Sequence, residues 1–468
     1  MIKKLICLVL SCLIPLGLCA CAGAPQEEAA PQGLQVGFAR EQVMPQGNVI
    51  QEASKKPITG IMGYLTVTCI ALKGTNDETM LLYTMDKRNS SDSWTAPIRT
   101  AIATATGIPE ERIMLAATHT HSSAPFSGWD GADKYKADFQ AAMVKAGQDA
   151  LADMSGAETY YGSTETEHLT FVRQYRLQDG TVTSSGVKAR DPSIVDYAAE
   201  SDGQLQIIRF TREGKKDVLL MSFNAHPTFH GSDDCTLLSP DFPGPTRDYI
   251  ESQGDYLVAY FTGDAGNQAP TTKYAPDIPH EAEDYQEHGK RLGQYLLDAL
   301  PDLTKAEGDT LRLVGQQYTA VSNKERLDML EKSKEVMEVY ETKGKKAANE
   351  LAEQYGLYQY HEAKAIIERV EMPDTNEAWL NVMSIGNDLS FAFAPYEMFS
   401  ENGSHLRAST PYGMTFLVSC CNGGEGYLPS AAAWEYGCYE SYITRFERGT
   451  AEIFIEEFLA MLEGLKAG

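Results

Sequence analysis

Five apolar runs of strand length, each ending in a loop crowded with polar side chains, constrain this chain more than any other feature of its sequence. Ile113–Ala117 runs into Thr118-His119-Thr120-His121-Ser122, and Val218–Phe223 into Asn224-Ala225-His226-Pro227-Thr228-Phe229-His230. Leu257–Phe261 runs into Thr262-Gly263-Asp264-Ala265-Gly266-Asn267-Gln268-Ala269-Pro270. Phe391–Ala394 leads to Pro395-Tyr396-Glu397, and Met414–Val418 to Ser419-Cys420-Cys421 and on to Gly426-Tyr427. Short apolar runs bounded by turn residues read as strands. In α/β proteins, polar loops that meet beyond the carboxyl ends of strands are where ligands gather. Helical patterns lie between the runs. Ala96–Thr106 stops at Gly107 and Pro109, a C-terminal signal, and Thr450–Leu465 carries Ile453, Phe454, Phe458 and Leu462 on one side. The expectation is an α/β (mixed α+β) fold, one large domain of mixed β-sheets flanked by helices.

The 43% hydrophobic and 22% charged residues are those of a globular chain. One stretch differs in composition. Ser322–Glu371 is charged and poor in Gly and Pro, with Leu327, Leu330, Val336, Met337, Tyr340, Ala348, Leu351 and Ala352 recurring mostly at helical steps and a break at Gly344. It predicts a helical hairpin insertion over about 322–371, covering the core or forming a lid. Forty Lys plus Arg against 65 Asp plus Glu leave a formal net charge of −25. A nucleic-acid binder needs a basic footprint, so nucleic acid is excluded as a partner, as is charge-driven attachment to anionic headgroups.

The N-terminus reads as an address. Lys3 and Lys4 precede an apolar stretch from Leu5 to Leu18, shorter than the about 20 residues a membrane-spanning helix requires. Leu18-Cys19-Ala20-Cys21 follows and resembles a bacterial lipobox, with Cys21 as the lipidated residue, since the bulky Leu18 stands before Cys19. The division expected is a lipoprotein signal peptide over 1–20, a flexible tether over 21–34 and the folded domain over 35–468. The protein would then sit as a lipoprotein on the extracytoplasmic face of the cell membrane; a plain secretory signal is the alternative. Beyond the signal and Cys21 the cysteines are Cys69, Cys235, Cys420, Cys421 and Cys438. An odd, scattered set is no disulfide framework, though one bridge from Cys420 or Cys421 to Cys438 suits an exported protein. The absence of a CxxC pair argues against a thiolate zinc site.

His119 and His121 are two apart, so on an extended segment both rings project to one side. Imidazole and carboxylate are the ligands of catalytic Zn2+, and His226 and His230 sit in a second strand-end loop. The alternative is histidines that cap or satisfy backbone groups. His168, His280, His288, His361 and His405 lie among charged or helical residues and read as surface positions.

Taken together, Gly37-Phe38-Ala39-Arg40, Thr118–Ser122, His226-Pro227-Thr228, Asp264-Ala265-Gly266, Glu397 and Gly426-Tyr427 resemble, in order and spacing, the neutral/alkaline (non-lysosomal) ceramidases. Members of that family are zinc amidohydrolases that cleave the N-acyl bond of ceramide to a sphingoid base and a fatty acid. The resemblance implies a zinc held by His119, His226, Glu397 and Tyr427. It implies that His121 binds the amide or its oxyanion, that Arg173 stands near the scissile carbonyl (Arg176 being the competing alignment), and that Tyr439 is a further active-site tyrosine. One departure matters. The family loop reads approximately N-A-G-x-x-S-P-N, with a catalytic part assigned to its serine, and here Ala269 takes that place. Alanine neither attacks nor donates a hydrogen bond, so a covalent serine mechanism at that position is excluded. Water acidified by zinc, from a pKa of about 16 to about 7, needs no such serine. Zinc, His121, Tyr439 and Arg173 would hold the oxyanion, with Asp264 as general base or orienter of a histidine ligand.

The expected function is therefore zinc-dependent hydrolysis of an amide in an N-acyl lipid, ceramide-like, with another small amide or ester as substrate the variant reading. Two alternatives remain open. A tethered ligand-binding lipoprotein, or an inactive family member, predicts two lobes and no meeting of His119, His226, Glu397 and Tyr427. A zinc phosphoesterase needs more Asp and His ligands than these loops supply.

Overall fold

A computed structural model describes residues 33–184, 191–232, 235–274 and 284–468. Cys21, the signal peptide, almost all of the expected tether and His280 lie outside the described residues. Two sheets form the centre. The larger has nine strands. Its path runs Tyr256–Thr262, Asp217–Phe223, Gln204–Arg212, Ser155–Glu165, Gln35–Gln42, Thr66–Lys73, Thr79–Met85, Ile113–Ala117, with Thr304–Lys305 beside Ser155–Glu165. The smaller has four, in the order Leu311–Val321, Thr375–Ile385, Leu389–Phe393, Met414–Val418.

The two sheets stack because each strand buries one side chain in two against the other sheet. Phe38, Ile70, Leu82, Phe210, Leu220 and Phe261 meet Met383, Phe391 and Phe416 in one continuous core. Polar side chains cross the same layer in satisfied pairs: Gln206 donates to the Thr415 carbonyl (2.7 Å) and accepts from the Leu417 amide (3.0 Å), while Ser222 donates to the Leu417 carbonyl (2.6 Å). Helices cover the outer faces. Ile98, Ile102, Phe139 and Met143 pack on Leu81, Tyr83 and Leu115; Ile250, Leu292 and Leu296 pack on Leu205, Leu219 and Val258. Phe454, Phe458 and Leu462 close the far side of the smaller sheet against Leu380, Val382 and Leu417. The result is the mixed α/β class expected, in four layers.

The site is positioned by three parallel pairs: Thr79–Met85 with Ile113–Ala117, Asp217–Phe223 with Tyr256–Thr262, and Leu389–Phe393 with Met414–Val418. Their carboxyl ends are tied together across the layers. The Ser419 amide donates to the Thr262 carbonyl (2.8 Å), the Thr262 hydroxyl to the Thr118 carbonyl (2.7 Å), the Ala117 amide to the Cys420 carbonyl (3.0 Å), and the Cys421 amide to the Ala394 carbonyl (2.9 Å). All five strand-end loops therefore open at one place.

Two expectations change here. The stretch 322–371 is helical, but it forms three helices, Leu330–Lys343, Lys345–Gln354 and Tyr360–Glu371, rather than a hairpin. Gly344 makes the first break, and Gly356, left-handed at φ 68°, makes a second. The helices share a small core of Val336, Ala348, Ala352, Leu357 and Ile366. The bridge from Cys420 or Cys421 to Cys438 is not formed: all five described cysteines are free thiols. Cys438 caps the helix Tyr439–Ile443, whereas Cys420 lies against the His119 ring.

Candidate functional site

The H-x-H segment is not extended. His119 has φ 66°, a left-handed conformation that costs a non-glycine residue about 1–3 kcal/mol and persists only where the surroundings hold it. The preceding residue is fixed by Asp86, which accepts the Thr118 hydroxyl (3.2 Å) while bound through both oxygens to Arg247 (3.0 and 2.8 Å). The kink turns the His119 ring onto His121 and His226, with centroid separations of 5.0 and 4.7 Å.

The imidazole nitrogens face inward. His121 Nε2 lies 3.3 Å from His119 Nε2, and the Glu397 carboxylate reaches His226 Nε2 at 3.0 Å and His119 Nε2 at 3.3 Å. The opposite nitrogens are bound to backbone: His119 Nδ1 to the Arg88 carbonyl, His226 Nδ1 to those of Ala265 and Gln268. Such bonds fix the ring orientation and direct the Nε2 lone pair at a ligand. Nitrogen atoms of His119, His121 and His226 all lie within 4.8 Å of one another. Three imidazoles and a carboxylate, with His119 and His226 buried and His121 and Glu397 half-buried, offer donors of the kinds that Zn2+ takes.

The charge states of His121, His226 and Glu397 agree with that fit. Burial, aided by the Arg173 charge, lowers His226 to about 4, and burial and Arg88 hold His121 well below the ordinary range. Burial works against ionised Glu397, but His119 and His226 outweigh it and keep the carboxyl well below its usual range. Metal ligation requires neutral imidazole and ionised carboxylate. His119 differs: burial opposes its proton, yet Cys420 and Glu397 prevail and raise it to about 10. The cluster thus attracts one positive charge onto the atoms that would ligate a cation.

Tyr427 stands beside this group. Glu397 and Tyr427 are register partners in a two-strand parallel pair, and the Tyr427 ring stacks 6.2 Å from that of His226. Its hydroxyl accepts from Arg173 Nη2 at 3.1 Å. Arg173 also donates to the Gly266 carbonyl (3.0 Å) and, through Nε, to Glu440 (2.7 Å). Arg176 is exposed and donates to the Ala198 carbonyl, whereas Arg173 reaches Tyr427. Tyr439 packs edge-on to Tyr427 at 5.9 Å.

Asp264 does not serve as orienter of a histidine ligand. Its carboxylate is fully buried and turned to Arg407 (3.0 Å), while the carbonyl of the next residue, Ala265, holds His226. Burial raises Asp264 to about 7 in spite of Arg407. Ala269 lies in a short strand paired with Phe171. The Ser122 and Ser123 hydroxyls are engaged by the His230 carbonyl and Glu52.

Several site residues carried no signal in the sequence. Glu440, with no exposed surface, anchors both Arg173 and Gln174 (2.9 Å). Arg88, Ala265 and Gln268 act through backbone carbonyls, which every residue possesses. His288, expected at the surface, is fully buried among Phe223, Phe229 and Phe242, and His361 is half-buried and packs against Tyr439. His168 and His405 are exposed as expected. A cavity of about 780 Å³ lined by Arg99, Arg112, Trp379 and Asn381 includes none of the clustered histidines and lacks their chemistry.

A scan of protein-family models found no match to this chain, and a search of curated proteins found none. Solved structures do match. Neutral ceramidase from Pseudomonas aeruginosa superimposes with a TM-score of 0.67 at 15% identity, covering 94% of this chain and 75% of that one. A ceramidase complexed with C2 gives 0.67 at 15%, covering 93% and 75%. At such identity the likeness is one of fold, and the fold of this chain is that of the neutral ceramidases.

Proposed function

We propose that this protein is a zinc-dependent amide hydrolase of the ceramidase type, acting on an N-acyl lipid to release an amine and a fatty acid. The observation that carries the reading is the meeting of His119, His121, His226 and Glu397 at the shared mouth of five strand-end loops, in a chain with the ceramidase fold. A ligand-binding lipoprotein called for no such meeting.

In this reading His119, His226 and Glu397 hold the metal, with Tyr427 as the fourth ligand. A bound Zn2+ would supply a Lewis acid and water acidified to near neutrality. The chain's own residues do the rest. Nε and Nη2 of Arg173 are taken up by Glu440, Gly266 and Tyr427, which leaves Nη1 to face a substrate carbonyl. With Tyr439 and His121 it would hold the oxygen as negative charge grows, the usual source of large rate gains in acyl transfer. With Ala269 lacking a hydroxyl and Ser122 and Ser123 committed elsewhere, the acyl group passes directly to water. The hydroxyl of a water adds to the carbonyl carbon, the C–N bond breaks, and the proton given up by that water goes to the nitrogen of the departing amine. Attachment through a lipid on Cys21, at the extracytoplasmic face of the cell membrane, is the matching proposal for location; it rests on the sequence and suits a lipid substrate.

The test is elemental mass spectrometry on the protein beginning after Cys21, beside His119→Ala and His226→Ala. About one zinc per chain, lost in both variants, together with hydrolysis of an N-acylsphingosine, supports the reading. No zinc under metal-replete conditions sinks it.

A further inference from the structure

The helical stretch 322–371 has no part in the reading above, yet it reaches the site. A series of ring contacts runs outward from the histidine cluster. His226 stacks with Tyr427 at 6.2 Å, Tyr427 meets Tyr439 at 5.9 Å, and Tyr439 meets His361 edge to face at 5.2 Å and 81°. His361 is on the first turn of the helix Tyr360–Glu371, and its ring lies 3.9 Å from that of Tyr360, which stacks on Tyr340 at 4.5 Å. This helix is firmly docked on the short helix that carries Tyr439. Arg369 donates to the Tyr442 carbonyl at 2.6 Å, and Tyr358 stacks on Tyr442 at 5.0 Å.

Tyr439 makes two ring contacts. Its ring faces Tyr427 inward and His361 outward, so its direction is set by packing between two rings. The helix Tyr439–Ile443 has a single turn and little rigidity of its own; the same turn carries Glu440, the anchor of Arg173.

We propose that His361 is a positioning residue of the active site, orienting Tyr439 by ring packing, and that the helical stretch is thereby a structural wall of the substrate site. This inference rests on the amide-hydrolase reading for its effect on turnover, but the contact itself is testable without turnover. An edge-to-face pair of this kind is worth about threefold to tenfold in an equilibrium or rate.

The variants are His361→Ala and His361→Phe in the zinc-loaded mature protein, assayed with a short-chain N-acylsphingosine and by hydrogen–deuterium exchange over residues 438–444. His361→Ala is expected to lower kcat/KM about threefold to tenfold and to speed exchange by a similar factor, with zinc content and thermal midpoint unchanged. His361→Phe, which keeps the ring but not the imidazole, is expected to restore both. In a Tyr439→Ala background, His361→Ala is expected to cost no further activity. Unchanged exchange in His361→Ala, or an equal loss of activity in the Tyr439→Ala background, overturns the inference. A wild type that hydrolyses no N-acyl amide refutes the hydrolase reading instead, and the exchange measurement still decides the contact.

Discussion

Replacing Glu440 with Gln tests how the site arginine is held. The Glu440 carboxylate has no exposed surface and two protein donors, Arg173 Nε at 2.7 Å and Gln174 Nε2 at 2.9 Å. Charge-assisted hydrogen bonds contribute about 1.5–3 kcal/mol each. Glutamine keeps one acceptor for Arg173 but sets its amide NH2 against the donor of Gln174, and it removes the charge that balances a guanidinium only 20% exposed. The expected cost in stability is about 2–3 kcal/mol, below the about 3–5 kcal/mol of a fully buried broken pair. Arg173 keeps its bonds to Gly266 and Tyr427, so it loosens rather than leaves. Losing an oxyanion donor outright costs about 100- to 1,000-fold, and a loosened one is expected to cost about tenfold to a hundredfold in kcat, with zinc retained. Urea denaturation, metal analysis and steady-state hydrolysis of an N-acylsphingosine report the three quantities. A variant destabilised as stated but with wild-type kcat would refute the argument that Glu440 places Arg173 for chemistry.

Three further outcomes are expected. His288 has no hydrogen-bond partner for either ring nitrogen among the described residues, and burial holds it down to about 3. Its folded pKa lies below the unfolded value of about 6.5, so stability is complete above about pH 6.5 and is lost as pH falls toward 3; His288→Leu should lessen the drop in unfolding free energy between about pH 7.5 and pH 5, and an identical drop in both proteins would rule this out. Gly403 faces Asp264 so closely that a Cβ there collides with the carboxylate; Gly403→Ala is expected to destabilise by about 3 kcal/mol, and a wild-type unfolding curve would show that Asp264 is not held as described. Ala269→Ser introduces a hydroxyl into the loop that follows Asp264. If water is the direct nucleophile, rapid-mixing kinetics will show no burst of amine in either protein, whereas a burst in the serine variant would mean that the site is built for an acyl-enzyme.

The reading of the loops and the reading of single side chains fared differently. Strand runs and their polar ends were legible because apolar periodicity and turn residues are local properties, and the parallel pairs then bring the carboxyl ends together. His119 and His226 stand out in that way, whereas the choice of Glu397 and Tyr427 beside them rests on the resemblance to the ceramidases. His119 and His121 meet although their segment is not extended: His119 has a left-handed φ, and the Thr118 hydroxyl beside it bonds to Asp86, whose partner Arg247 lies 161 residues away. Of the two roles open to Asp264, that of orienting a histidine falls instead to the neighbouring Ala265 carbonyl, which bonds His226 Nδ1. Backbone carbonyls look alike in any sequence, so no pattern could have chosen Arg88 and Ala265.

By itself, then, the sequence determined the fold class, the placement of the clustered residues beyond strand ends and the presence at position 269 of an alanine, which has no hydroxyl. These follow from residue type and from spacing over a few positions. Only the tertiary structure decided that Glu440 anchors Arg173 across 267 residues, that His288 is core and His361 touches Tyr439, that 322–371 holds three helices, and that the cysteines stay apart. Those facts are pairings between elements distant in the chain, and which residue meets which depends on how the sheets and helices pack, a property that no short window of sequence contains.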